Sequence, residues 1–273
     1  MLKCSLSYRS PKKAIINSTK YFLIIAFSSY VFLSCSRLNP ENPGSTPVNH
    51  AAWNTLLKKH VDNQGLVDYQ GFMQDRAALK DYLLNLTNNA PNTKNWTSDD
   101  RLAYWINLYN AFTIDLVLTH YPVESIKDIG PAVQIPLVNT PWQIEMIDIG
   151  EEKYNLDNVE HNIIRKNFEE PRIHFALVCA AMSCPKLRQE AYTGSRLEEQ
   201  LADQAQQFLK DTSKNQISPE EIKISKLFMW YKGDFTDDMS LIAFLNQYTE
   251  VVISDDADIS HMNYNWKLNE QPK

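Results

Sequence analysis

The sequence predicts a single α+β domain: a buried central helix, a small and mainly antiparallel sheet, and flanking helices. Three observations predict it. Between Thr97 and Pro122 the apolar side chains, set out at 100° per residue, point almost all round, which marks a helix enclosed by the rest of the molecule. Downstream, short runs rich in β-branched residues are bracketed by proline and glycine and alternate with helical patterns. From His50 onward, roughly 220 residues carry no internal repeat, low-complexity tract or second linker, within the size of one domain. Hydrophobic content of 44% and aromatic content of 11% supply a sizeable core.

Taken in order, His50 to His60 reads as a short helix and Asp62-Asn-Gln-Gly65 as a turn. Leu66 to Tyr69 follows as a strand fragment and Phe72 to Leu86 as a helix. Thr97 caps the central helix, with Asp100 three residues on, and the helix ends near His120, before Pro122. Val133 to Val138 and Trp142 to Ile149 read as strands. Asn155 opens a helix that carries His161, and Arg172 to Cys179 reads as a strand. Ser195-Arg-Leu-Glu198 is a capping box for a helix to about Lys210. Glu221 to Leu227 reads as a strand and Met239 to Tyr248 as a short helix.

The first residues read as an address. Lys3, Arg9, Lys12, Lys13 and Lys20 form a positive region with no acid in it, and Tyr21 to Leu33 is an apolar run. A membrane span needs about 20 apolar residues; this run is shorter and has the flanks of a signal peptide. It ends in Phe32-Leu33-Ser34-Cys35, which resembles a bacterial lipobox, with phenylalanine where leucine is usual. That resemblance implies a signal peptide over residues 1–34, lipid on Cys35, and a bacterial envelope location, at the outer membrane on its periplasmic side or surface. Residues 35–49, rich in Pro, Asn and Ser, read as a tether, leaving residues 50–273 as the domain. Without the five basic residues before Cys35, the chain holds 22 basic and 33 acidic residues, a net charge of −11. Such a body suits neither nucleic acid nor an anionic lipid face, so the expected membrane contact runs through the lipid.

Chemistry-bearing residues concentrate in Arg172-Ile-His-Phe-Ala-Leu-Val-Cys-Ala-Ala-Met-Ser-Cys-Pro185, with Glu160 and His161 just upstream. Cys179 and Cys184 admit three readings. They form a disulfide, as an oxidising compartment favours. Or Cys184, before Pro185 at an expected helix start, is a nucleophile whose thiolate the helix dipole stabilises, with His161 or His174 as base. Or both sulfurs join His174 and His161 on zinc, although His-x4-Cys-x4-Cys is not a recognised ligand spacing. On a strand, His174 shares a face with Ala176 and Val178, equally suited to a hydrogen-bonded core histidine. With Leu156 at 0° on the helical wheel, Glu160 falls near 40°, inside the apolar arc, and His161 near 140°, at its edge. A carboxylate aimed at the core needs a partner, and Arg172 or a histidine is the expected one. Asn107 and Asn110, on one side of the central helix, either brace the histidine strand or orient an imidazole.

Trp105-Ile-Asn-Leu-Tyr-Asn-Ala111, Leu156-Asp-Asn-Val-Glu-His161, Arg172 to Cys179 and Ser183-Cys-Pro185 resemble the domain-of-unknown-function family 547. Phe228-Met-Trp-Tyr-Lys-Gly-Asp-Phe235 and Tyr264-Asn-Trp-Lys-Leu-Asn269 look like the same family. Ala180 departs from it, because glycine is expected after the first cysteine. The resemblance implies membership and no particular reaction. Two expectations follow. One is a thiol-dependent hydrolase or acyl transferase on peptide or amide substrates, with Cys184, Cys179, His174, His161, Glu160, Asn107 and Asn110 as candidate site residues. The other is a non-catalytic binding or scaffold module with a structural Cys179–Cys184 disulfide. Neither calls for a cofactor, and no protein or peptide partner is specified.

Overall fold

The chain divides into two units, Met1–Ser36 and Arg37–Lys273. The computed structural model describes residues 40–131 and 139–272, all within the second unit. The lipobox, Cys35 and the expected strand at residues 133–138 lie outside the described residues.

α1 (Ala51–His60), α2 (Tyr69–Gln74) and α3 (Arg76–Asn88) precede the central helix α4 (Ser98–His120). Every residue of α4 from Leu102 to Leu118 is buried. The Thr97 hydroxyl accepts the Asp100 N–H at 3.1 Å, so the expected cap is formed, and Asp99 and Asp100 add negative charge where the helix dipole favours it. Burying a leucine or isoleucine side chain fully stabilises by roughly 1.5–3 kcal/mol. Packing of side chains such as Ile106 and Leu108, not helix propensity, therefore holds α4 in place.

Next come the antiparallel hairpin of β1 (Ile147–Ile149) and β2 (Glu152–Tyr154) and a π-helical segment, Asn158–Ile164, which runs on into α5 (Arg165–Asn167). Asn155 and Asn158 cap each other's backbone N–H where this segment begins. α6 (Ile173–Ala176) and an irregular loop lead to α7 (Leu197–Lys210). The sheet of β3 (Gln216–Ile217), β4 (Glu221–Ile224) and β5 (Asp258–His261) brackets, in sequence, α8 (Leu227–Trp230), α9 (Lys232–Phe235) and α10 (Leu241–Leu245). β4 pairs antiparallel with β3 and parallel with β5. The class is the expected α+β. Its core has two clusters, one around α4 and one of phenylalanines centred on Phe175 with Phe208, Phe228, Phe235 and Phe244. Among the described residues no helix is long and apolar enough to cross a membrane.

Several local expectations are corrected. The Arg172 to Cys179 strand is a single helical turn, α6, followed by extended chain. The turn closes on Glu170, Pro171 and Arg172, whose carbonyls accept the N–H groups of Ile173, His174 and Phe175. Beyond it, Asn110 takes the bonds that a neighbouring strand would have supplied: its amide donates to Ala176 O at 2.9 Å and accepts from Val178 N–H at 2.9 Å. The Phe72 to Leu86 helix is broken at Asp75, whose carboxylate holds Lys59 and His60, each at 2.6 Å. The Ser195 capping box does not form; a 3-10 turn occupies Gly194–Arg196, and Glu198 pairs with Arg172 at 2.6 Å. The described part of the expected tether is docked, not free. Ser45 donates to Ala90 O at 2.6 Å and accepts from the Trp96 indole at 3.0 Å, and Asn92 donates to Ser45 O at 3.0 Å. A segment too polar to fold alone still finds partners on a finished surface.

Candidate functional site

The site is built around the loop from Cys179 to Cys184. Its two cysteines are joined in a disulfide. Cys184 is buried and its sulfur accepts the Cys179 N–H at 2.9 Å, while the half-buried Cys179 sulfur lies 3.4 Å from the Tyr264 hydroxyl. Ala180 has φ 59°, left-handed backbone that a glycine adopts without strain. The C-terminal segment clamps this loop: Met182 N–H donates to Lys267 O at 2.8 Å, and Asn269 N–H to Ala180 O at 3.1 Å. The clamp sets Tyr264 and Trp266 over the disulfide. No helix starts at Pro185, where the chain is irregular, so the expected dipole at Cys184 is absent.

Over the disulfide opens a cleft of about 240 Å³, where the two core clusters meet. Trp142, Trp230, Tyr231, Tyr264 and Trp266 form its aromatic walls, and Asp157, Glu160, His161 and His174 are its acidic and imidazole groups. Trp230, Tyr264 and Trp266 pack on one another with ring centroids 4.5–5.9 Å apart. The π-helical segment supplies Glu160 and His161, and Asp157 stands at its N-terminal end, about one turn before them. Such wide turns recur at functional sites because they break the regular hydrogen-bond ladder.

Behind the cleft runs a polar chain. The His174 imidazole stacks on Tyr231 at 3.8 Å, and its Nε2 lies 2.7 Å from Asp234 Oδ2. Asp234 also takes two bonds of 2.6 Å from Arg165. Arg165 donates onward to His161 Nδ1 at 3.1 Å and sits 5.3 Å above the Tyr231 ring. Burial pushes the His174 pKa down, which keeps the ring neutral with Nε2–H donating to Asp234. Hydrogen bonds from His174 and then Arg165 hold Asp234 well below the usual carboxylate range. Burial, reinforced by the Glu160 charge, pushes the Tyr231 hydroxyl up, so it stays a donor, to Glu160 Oε1 at 2.6 Å. The Tyr109 hydroxyl bonds to the same carboxylate.

Residues 93–209 match the model of a family described as "Protein of unknown function, DUF547". That stretch of the chain belongs to this family. No curated protein and no solved structure matches the chain. The matched DUF547 segment holds the disulfide, Glu160, His161 and His174. Trp230, Tyr231, Tyr264 and Trp266 lie beyond it, as do the two C-terminal motifs expected to share the family.

Of the expected site residues, Cys179, Cys184, His174, His161 and Glu160 do line one cleft. Asn107 and Asn110 do not act on an imidazole. Asn107 spends its amide on the backbone of Tyr192, at 2.8 and 3.0 Å, and Asn110 spends its own on the loop after α6. Arg172 is not the partner of Glu160, since Glu170 and Glu198 occupy it. A sulfur bonded to another sulfur is neither nucleophile nor zinc ligand, and among the described residues no three His, Cys, Asp or Glu side chains gather into a metal-holding group. Arg165, Asp234 and the aromatic walls were missed. Trp230, Tyr231, Asp234, Tyr264 and Trp266 lie in Phe228 to Phe235 and Tyr264 to Asn269, the segments that carry the resemblance, whereas Arg165 and Trp142 carry no such signal.

Proposed function

We propose that this protein is a non-catalytic binding module of the bacterial cell envelope, held there by lipid on Cys35, with the aromatic cleft as its ligand site. The observation that carries the reading is the Cys179–Cys184 disulfide beneath that cleft. A cysteine hydrolase needs a thiolate and an imidazole free to move its proton. Here both sulfurs are bonded, and His174 is packed against Tyr231 with its Nε2 spent on Asp234. An apolar, aromatic pocket with a few convergent polar groups is the usual build of a small-ligand site. The basic region, the apolar run and Phe32-Leu33-Ser34-Cys35 support the envelope address.

Ligand-observed NMR with a mixed fragment library, containing cationic, anionic and neutral members, tests the binding reading. Some members should bind the wild-type protein and lose binding in Trp230→Ala, a change on the exposed rim of the cleft. A library in which no member of any charge distinguishes the two proteins sinks it.

A further inference from the structure

Glu160 sits in this cleft with only 7% of its surface exposed; the Arg165 charge reaches it through space, but among the described residues no Lys or Arg bonds to it. Among the described residues it is bonded only by tyrosine hydroxyls, Tyr231 at 2.6 Å and Tyr109. Arg165 directs its guanidinium edges to Asp234 and His161. The His161 Nδ1 stands 4.0 Å from Glu160 and accepts from Arg165, so it does not donate to the carboxylate. A second carboxylate, Asp157, lines the same cleft half-buried, and burial raises its pKa. Buried carboxylates are costly unless a cation or several donors neutralise them.

The remaining walls are faces and edges of aromatic rings, which attract cations through the ring quadrupole, tryptophan most strongly. One of these rings already does so: the Lys127 ammonium lies 5.0 Å from the Trp266 ring. At about 240 Å³ the cleft is smaller than the roughly 300–1,000 Å³ of drug-sized sites, so it suits one small head group. Aromatic walls also suit sugars, but a sugar presents hydroxyls that need donors as well as acceptors. The cleft does offer donors, Thr140 and the Tyr264 hydroxyl among them, but a neutral sugar leaves the buried Glu160 charge uncompensated, which a cation does not.

Building on the binding reading, we propose that the cleft takes an alkylammonium group, enclosed by Trp142, Trp230, Tyr264 and Trp266 and neutralising Glu160. The source is a free amine solute or the head group of a zwitterionic lipid; the chemistry recognised is the same.

The test titrates the full-length protein, in a non-ionic detergent, with choline and with its neutral carbon analogue, in which a tert-butyl group replaces trimethylammonium. Tryptophan fluorescence and calorimetry read the binding. Choline should bind saturably and about ten-fold or more tighter than the analogue. Glu160→Gln should remove that preference while leaving affinity for the analogue unchanged. Trp230→Ala, at an exposed position, should weaken choline without moving the melting temperature, and it stands in if Glu160→Gln does not fold. Binding of glycerophosphocholine, a soluble head group, without binding of choline assigns the source to a lipid head group. Equal affinity for choline and its analogue overturns the cation proposal and leaves the binding reading standing, as does saturable binding of glucose in place of choline. No binding by any of these, while the fragment library still finds ligands, overturns the cation proposal alone.

Discussion

Ala180 carries a backbone conformation that its methyl group disfavours. With φ at 59°, the left-handed region costs a non-glycine residue about 1–2 kcal/mol, partly offset by the greater freedom glycine has when unfolded. Ala180→Gly should therefore raise unfolding free energy by about 0.5–1 kcal/mol, read by urea denaturation. No gain, or a loss, would mean that the Ala180 methyl makes packing contacts worth more than the strain. Asn110 works in the opposite sense. Replacing it with Ala orphans a buried carbonyl and a buried N–H at once and should cost about 2–4 kcal/mol in the same assay. Both residues were in view in the sequence, Ala180 as the odd residue out and Asn110 as a buried amide in want of partners. What sequence could not supply was the partner, because the bonded atoms are backbone groups 66 and 68 residues away.

At the scale of elements, the disulfide loop and the C-terminal clamp form one device. By chain entropy, closing so short a loop contributes about 2 kcal/mol, less than a long one would. Its larger effect is to fix the strands of hydrogen bonds that carry Tyr264 and Trp266. Reduction should lower stability by about that amount and loosen the clamp, seen as faster amide exchange at Met182 and Asn269. Unchanged exchange there would separate the disulfide from the clamp. α4 was legible because its signal is local: a cap, an all-round apolar pattern and a proline stop. α6 was not. Ile173 to Val178 has the composition of a strand, and only the side chain of Asn110 and the turn at Pro171 make it otherwise. Glu160 was legible by the helical wheel even though the segment is π-helical, since it comes only two residues after the segment begins, before the wider turn has carried the faces far.

For the whole molecule, the buried groups set a pH dependence. Burial lowers the His50 pKa to about 4 and lowers that of His174, so below the ordinary value of 6.5 the unfolded chain binds protons that the fold does not. Stability is then fully present above pH 6.5 and lost as pH falls toward 4, by on the order of 3 kcal/mol for His50. Asp234, held low by His174 and Arg165, adds a loss in the same direction at lower pH. Denaturant titrations from pH 7.5 to about 4 should show the fall, flattened in His50→Gln; a level profile would mean that both imidazoles reach water. The address makes a separate prediction. Cys35→Ala should release the protein from the membrane fraction, and a variant that still sediments with membranes as the parent does rules out the lipid anchor. The central claim, a ligand cleft over a disulfide with no nucleophile, meets its most direct test in the tryptic peptide 173–186, which holds both cysteines. Native protein is alkylated without reductant, then reduced and alkylated with a heavy reagent, and the peptide is weighed. The account predicts that Cys179 and Cys184 carry only the heavy label across neutral and alkaline pH. Light label on Cys184 at neutral pH, with a midpoint that rises when His161 or His174 is replaced, would contradict it and restore the thiol-dependent hydrolase.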